Sequence, residues 1–167
     1  MSTLAEAAAA ADALAQKGAE QELAALRARW DDELEAAARS QDYRERTVAY
    51  RAISQFRFRQ KIELLRRGLE DDSPACRGSA LLSLEALSRD HPSVVNGVRP
   101  LLHELATNDG NDAVRRLAIM ALRNGSAQRD TIQILTALGE DDEQGRELRE
   151  AAAKVAQLLR RKAGPAR

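Results

Sequence analysis

Arg46-Thr-Val-Ala49-Tyr-Arg-Ala-Ile53 returns as Arg77-Gly-Ser-Ala80-Leu-Leu-Ser-Leu84, then as Arg115-Arg-Leu-Ala118-Ile-Met-Ala-Leu122, and more loosely as Arg149-Glu-Ala-Ala152-Ala-Lys-Val-Ala156. In each copy a small residue follows the arginine by three and an apolar one comes four later. On an α-helix these offsets fall about one turn apart on a single stripe, so each copy reads as the buried face of a helix. Successive arginines lie 31, 38 and 34 residues apart. That is the length of a two-helix unit, and a recurrence of that kind marks a repeat architecture.

The punctuation around the copies agrees. Ser73-Pro74 offers a hydroxyl N-cap followed by proline at the first helical position. Asp109-Gly-Asn-Asp112 precedes the third copy and Asp141-Asp-Glu-Gln-Gly145 the fourth, each with acidic residues where a helix should begin. Asn124-Gly125 and Gly139 stand where helices should end in a left-handed cap. The resulting expectation is helices over 43–55, 58–70, 74–89, 93–107, 112–123, 127–138 and 144–162.

Upstream of residue 43 the pattern changes. Thr3-x-x-Glu6 fits a capping box opening an Ala-rich helix, with Gly18 positioned to break it. A second stretch places Leu23, Leu26, Trp30, Leu34 and Ala37 or Ala38 on one face, opposite Arg, Asp and Glu. That face either packs on the first repeat or binds a partner. Residues 1–17 bury little area per alanine, so they either fray or dock only in a complex. The expected organisation is an Ala-rich amphipathic segment at 1–42, a repeat domain at 43–162 and a disordered tail at 163–167.

Composition supports an all-helical chain. Of 167 residues, 32 are Ala and 22 Leu, against only 11 Val plus Ile, a balance that favours helix over sheet. Lys plus Arg equal Asp plus Glu at 26 each, so no global field draws the chain to nucleic acid or membrane. The single cysteine, Cys76, excludes an internal disulfide, and one Cys with two distant histidines, His91 and His103, argues against structural zinc. No apolar run approaches the roughly 20 residues of a membrane span. The Ala-rich start lacks the basic n-region of a secretory signal. A soluble, cytoplasmic protein without cofactor or metal is the expectation.

With these residues in view, the chain resembles HEAT-repeat proteins, particularly the short bacterial HEAT-like type. The resemblance rests on Asp72-Ser-Pro-Ala-Cys-Arg77 followed by Ala80-Leu81-x-x-Leu84, and on Asn111-Asp-Ala-Val-Arg115 followed by Ala118-x-x-Ala121-Leu122. Both look like that family's inter-helix turn and second helix. Val98-Arg-Pro100-Leu-Leu102-x-x-Leu105 looks like its first helix, which tolerates a kinking proline. The likeness covers about residues 43–160, and the first and last units lack the turn in clean form. It implies a right-handed α-solenoid of about three to four two-helix repeats with an extra N-terminal helical segment. Leu64, Leu65, Leu69, Leu81, Leu84, Leu87, Leu101, Leu102, Leu105, Leu117, Leu122, Ile132, Leu135 and Leu138 should then form a continuous core. Arg77 and Arg115 should tie into acidic turn residues or open carbonyls of neighbouring units.

No catalytic constellation stands out. Cys76 beside Arg77 reads either as a reactive thiol or as a small packing residue. The run Glu140-Asp-Asp-Glu143 lacks the alternating ligands of a calcium loop. Charge, however, is blocked along the chain: residues 1–43 sum to −5, 44–67 to +6 and 151–167 to +5. The basic block interleaves Arg44, Arg46, Arg51, Arg57, Arg59, Lys61, Arg66 and Arg67 with Tyr43, Tyr50, Phe56 and Phe58. Such a segment is either a solvated face paired with acidic neighbours, a docking surface for an acidic protein, or a nucleic-acid surface offering phosphate contacts and stacking rings.

Three functions compete. A non-enzymatic protein–protein scaffold or adaptor is the leading expectation, with Arg44, Arg51, Arg59, Arg89, Arg123 and Trp30 as candidate contacts. Nucleic-acid binding through segment 44–67 is the alternative, as the resemblance to HEAT-like alkylpurine DNA glycosylases implies. An enzyme-associated role, as in HEAT-like bilin lyases, is the third, with no residues here to carry it.

Overall fold

The computed structural model describes residues 3–165, and among them the chain is helical with no strand. In order come α1 (Leu4–Gln16), α2 (Glu20–Ala38), α3 (Tyr43–Gln55), a single 3₁₀ turn (Arg59–Lys61), α4 (Ile62–Leu69) and α5 (Pro74–Ser88). They are followed by α6 (Ser93–Asn96), α7 (Arg99–Asn108), α8 (Asp112–Leu122), α9 (Arg129–Glu140) and α10 (Arg146–Ala163). Two compact units divide the chain after Leu87. The boundary expected at 42/43 therefore falls inside the first unit, where α1 and α2 both pack on α3.

In the first unit, α1 begins at Thr3, whose Oγ1 accepts from the Glu6 N–H at 3.1 Å, as the capping signal implied. It ends at Gly18, whose left-handed backbone (φ 73°) lets Gly18 N–H reach Ala15 O and Ala19 N–H reach Leu14 O. That pair of bonds satisfies carbonyls the last turn would leave open. The end of α3 repeats the device with a different residue. Arg57 sits at φ 56°, its N–H bonds Ser54 O, and Phe58 N–H bonds Ile53 O. A side chain in that region carries a penalty of about 1–2 kcal/mol, and here the arginine itself offsets it. Its guanidinium donates to Ser54 O (2.8 Å) and Gln55 O (3.2 Å) and pairs with Asp12 of α1 at 2.8 Å. Arg27 of α2 donates to the Arg57 carbonyl at 3.2 Å. The helix expected from 58 instead starts at Ile62, because residues 57–61 are spent on this reversal and a 3₁₀ turn.

Three layers of contact close this unit. Ala7, Ala8 and Ala11 of α1 are fully buried, as are Leu34 of α2 and Ala49, Ala52 and Ile53 of α3. Gly68 of α4 lets α5 approach: a Cβ there would lie 2.8 Å from Ala80 Cβ and 3.1 Å from the Tyr50 ring. Helix α5 lies along α3, with Ser79 Oγ donating to Thr47 O at 2.6 Å and Ser83 Oγ to Tyr50 O at 2.5 Å.

In the second unit α7 packs on α8, α9 on α10, α10 on α8 and α7 on α9. The helix expected over 93–107 is broken into α6 and α7. Pro100 lacks an N–H, and its ring clashes with the carbonyl four residues back, that of Asn96, where α6 stops. Neither Gly125 nor Gly139 is a left-handed cap. Positive φ among the described glycines occurs only at Gly18 and Gly164. Room, rather than conformation, is what the other two supply: a Cβ at Gly125 would meet Val95 Cγ1 at 2.8 Å, and one at Gly139, inside α9, would meet Ala153 Cβ at 3.3 Å. Ala163 closes α10 and Gly164 ends it, while residues 166 and 167 of the expected tail lie outside the described residues.

The predicted core is borne out at eleven positions, whereas Leu101, Leu117 and Ile132 are only half-buried. Fully buried Phe56 and Ile119 join it.

Candidate interaction surface

Arg46, Arg77 and Arg115 are each the fourth residue of their helix, α3, α5 and α8, and their side chains bond the chain just before it. Arg149 of α10, by contrast, lies 3.8 Å from Asp142 and keeps its Nε buried without a partner. Arg46 donates to Ser40 O (3.0 Å) and Gln41 O (3.1 Å) of the turn between α2 and α3. The same guanidinium forms a two-pronged pair with Asp71 of the next turn, at 2.8 and 3.0 Å, and reaches Asp72 at 3.3 Å. Burial would raise the Asp71 carboxyl, but the Arg46 bonds and the Ser73 N–H outweigh it and hold the group below the usual carboxylate range. Arg77 repeats the first half, donating to Asp71 O and Asp72 O at 3.0 and 3.2 Å. Arg115 repeats both halves: Nε donates to Ala106 O at 2.9 Å, and Nη1 to Gln144 Oε1 of the next turn at 2.9 Å. Its Nη2 is buried without a partner.

The arginines that frame these turns are structural ties. The surface left over is elsewhere. Arg44 is exposed at the head of α3 and held by Asp42 through two bonds of 3.1 Å. Arg51 lies two turns on along the same exposed stripe, with Nη1 donating to Ser54 Oγ at 2.6 Å. Arg59 is exposed on the 3₁₀ turn, apart from that stripe. Arg89 is exposed just past α5, and Arg123, half-buried, caps α8 and lends its carbonyl to Lys162 at 3.0 Å. These last two belong to the second unit, so the first unit brings together only Arg44 and Arg51.

Trp30 is not a surface contact. It is 5% exposed, on the α2 face that packs into the first unit, with Arg29 over its ring at 6.0 Å. The same face carries buried Leu23, Leu26, Leu34 and Ala38, so the whole stripe is core. Cys76 is likewise buried, its thiol lying 3.3 Å from Tyr43 O and 3.4 Å from Thr47 Oγ1, which makes it a packing residue.

Arg44, Arg46, Arg57 and Lys61 of the basic block pair with carboxylates, while Arg51, Arg66 and Arg67 are exposed. Arg46 and Arg57 are held as above, and Lys61 sits 2.6 Å from Asp31 and 2.7 Å from Glu35, with its ammonium 4.9 Å above the Phe58 ring. Of its four aromatic residues, Tyr50, Phe56 and Phe58 are buried and only Tyr43 is exposed, at 51%. A single ring is thus offered for stacking.

One groove is open beside the α3 stripe. Its floor is Leu4 and Ala5 of α1, Ala36 and Ala37 of α2 and Val48 of α3, the last 37% exposed. Glu33, Arg44 and Glu45 stand on its rim. Sequence reasoning missed this groove, since it joins residues some forty positions apart; the one local signal was Val48, apolar on a stripe otherwise charged.

In the second unit His103 is half-buried. Its Nε2 lies 2.8 Å from Thr131 Oγ1, and burial, helped by Arg99 and opposed by Asp130, lowers its proton affinity. Among the described residues no His, Cys, Asp and Glu cluster could hold a metal, and no helix is long and apolar enough to cross a membrane. The chain matches no family model, no curated protein and no solved structure.

Proposed function

We propose that this chain is a HEAT-like array working as a non-enzymatic docking module for another protein. In this reading α2–α3, α4–α5, α6/α7–α8 and α9–α10 are four helix pairs, α1 is the added N-terminal helix, and the pairs stack into a right-handed solenoid. The observation that carries it is the recurring arginine, which ties its own turn to the following one at Arg46 and at Arg115. Such a tie between consecutive turns is what a stack of repeats requires, because each pair buries its apolar face only on its neighbour. Arg44 and Arg51 on α3 are the contacts of the first unit, and Arg59, Arg89 and Arg123 remain secondary candidates. An acidic segment of the partner suits the exposed Arg51, whereas nucleic acid would find Arg44, Arg46, Arg57 and Lys61 already paired and three of the block's four rings buried.

The test is affinity capture by the full chain from its native host, with Arg51→Glu as control. A stoichiometric protein partner that Arg51→Glu fails to retain is the expected result. A chain that stays monomeric and captures no protein, or one that shifts DNA or RNA at about 50 mM salt, where phosphate contacts are strongest, contradicts it.

A further inference from the structure

The groove between α1, α2 and α3 has a chemistry of its own, and from it we infer a second element of the partner, distinct from the acidic segment that suits Arg51 beside it. We propose that it seats a basic amphipathic helix of another protein, an inference that rests on the docking reading above.

The floor is apolar and shallow. Leu4, Ala5, Ala36, Ala37 and Val48 present methyl and methylene groups with no long side chain to block an approaching backbone. Small residues at a helix-packing surface let two helix axes come close, and an apolar stripe at i, i+3 and i+4 is the matching shape. The volume above the floor is about 630 Å³.

The rim decides the charge. Its one cation, Arg44, is already neutralised by two bonds to Asp42. Its two carboxylates, Glu33 and Glu45, are exposed, and neither lies within ion-pair distance of a cation. The uncompensated charge of the groove is therefore negative, at Glu33 on α2 and at Glu45 on α3. An occupant that puts Lys or Arg on either flank of an apolar stripe satisfies both features at once. An acidic helix meets two like charges, and a wholly apolar one leaves the carboxylates unanswered. Such rim charges act mainly on selectivity and association rate, while the floor supplies the contact area.

The groove also has a fixed wall. Helix α1 is tied to the end of α3 by the Asp12–Arg57 pair, and its own first turn is capped by Thr3. Its inner face is Ala7, Ala8 and Ala11, all fully buried. The wall is therefore part of the folded unit, and the groove exists before a partner arrives.

The experiment is a selection of displayed helical peptides about three turns long on the full chain, repeated on Glu33→Lys/Glu45→Lys and on Val48→Asp. All three positions are exposed, and circular dichroism checks that the variants stay folded. The expected winners carry an apolar i, i+4 stripe flanked by Lys or Arg. The charge-reversed variant should retain them about tenfold less and enrich acidic-flanked peptides instead, and Val48→Asp should lose both. Failure to enrich any helix, enrichment of acidic helices by the native chain, or equal retention by all three proteins overturns the proposal. So does a dimer of the native chain, seen by light scattering, that dissolves on charge reversal, because the occupant is then a second copy. A native partner held equally well by Glu33→Lys/Glu45→Lys removes this groove and leaves the docking reading standing.

Discussion

Arg46 in the first unit and Arg115 in the second do the same task with different partners. Both bond a carbonyl of the chain just before their helix, Ser40 for Arg46 and Ala106 at the end of α7 for Arg115, and reach the following turn with the same guanidinium. Arg46 finds a carboxylate pair there, Asp71 and Asp72. Arg115 finds a neutral amide, Gln144, and keeps one buried nitrogen without a partner. The reason for an amide is visible next to it. Gln144 Nε2 donates to Asp141 Oδ2 at 3.0 Å while its Oε1 accepts from Arg115. A carboxylate could do the second but would repel Asp141. The position of the arginine is thus kept between the two regions, and the chemistry it meets is set by the next turn.

Removing each partner separates the two cases. Asp71→Ala deletes the carboxylate that holds Arg46 and that accepts the Ser73 N–H at 2.9 Å. Loss of a charged, mostly buried acceptor should cost about 2 kcal/mol in urea unfolding of the first unit. Gln144→Ala removes a neutral acceptor and should cost roughly 1 kcal/mol or less in the second. Equal costs would show that the guanidinium does not distinguish its partners. The swap Gln144→Glu sharpens the point. The hydrogen bond from Gln144 and then the Glu143 N–H hold the Asp141 carboxyl below its ordinary value. The substitution should move it upward in a carboxyl NMR titration, since a donor becomes a like charge.

Acid response differs between the regions as well. Asp71 titrates low in the folded state, so its stabilisation is complete above the unfolded carboxylate value, about 3.9. It is lost as pH falls through the lower folded value. His103 works in a higher window. Its folded affinity for protons is depressed, so below the unfolded value of about 6.5 the unfolded chain binds more protons and stability falls. Chemical denaturation from pH 7 to 5 should therefore show a small loss in the second unit that His103→Gln abolishes; an unchanged slope contradicts the burial of the neutral ring.

The helix pattern was largely legible in the sequence. The limits of α3 came out to the residue, and the stripe through Trp30 and Leu34 read correctly as one face, because periodicity is local. The kind of partner was legible, since Arg77 and Arg115 do bond open carbonyls, but the individual partners were not, because ties such as Arg46–Asp71 join positions 25 apart. Glycines misled in one direction: Gly125 and Gly139 were read as left-handed caps, when neither has a positive φ and both make room, for Val95 and Ala153. Arg57 misled in the other, since nothing in a lone arginine announces a left-handed residue whose cost its own side chain offsets. Interleaved aromatics looked like a stacking surface until burial assigned three of four to the core.

The most direct measurement is a double-mutant cycle on Arg46→Ala and Asp71→Ala by equilibrium unfolding. A tie between consecutive turns predicts a coupling energy well above the few tenths of a kcal/mol typical of exposed ion pairs. Additive losses from the two substitutions would contradict it, and with it the claim that these arginines hold one helix pair to the next.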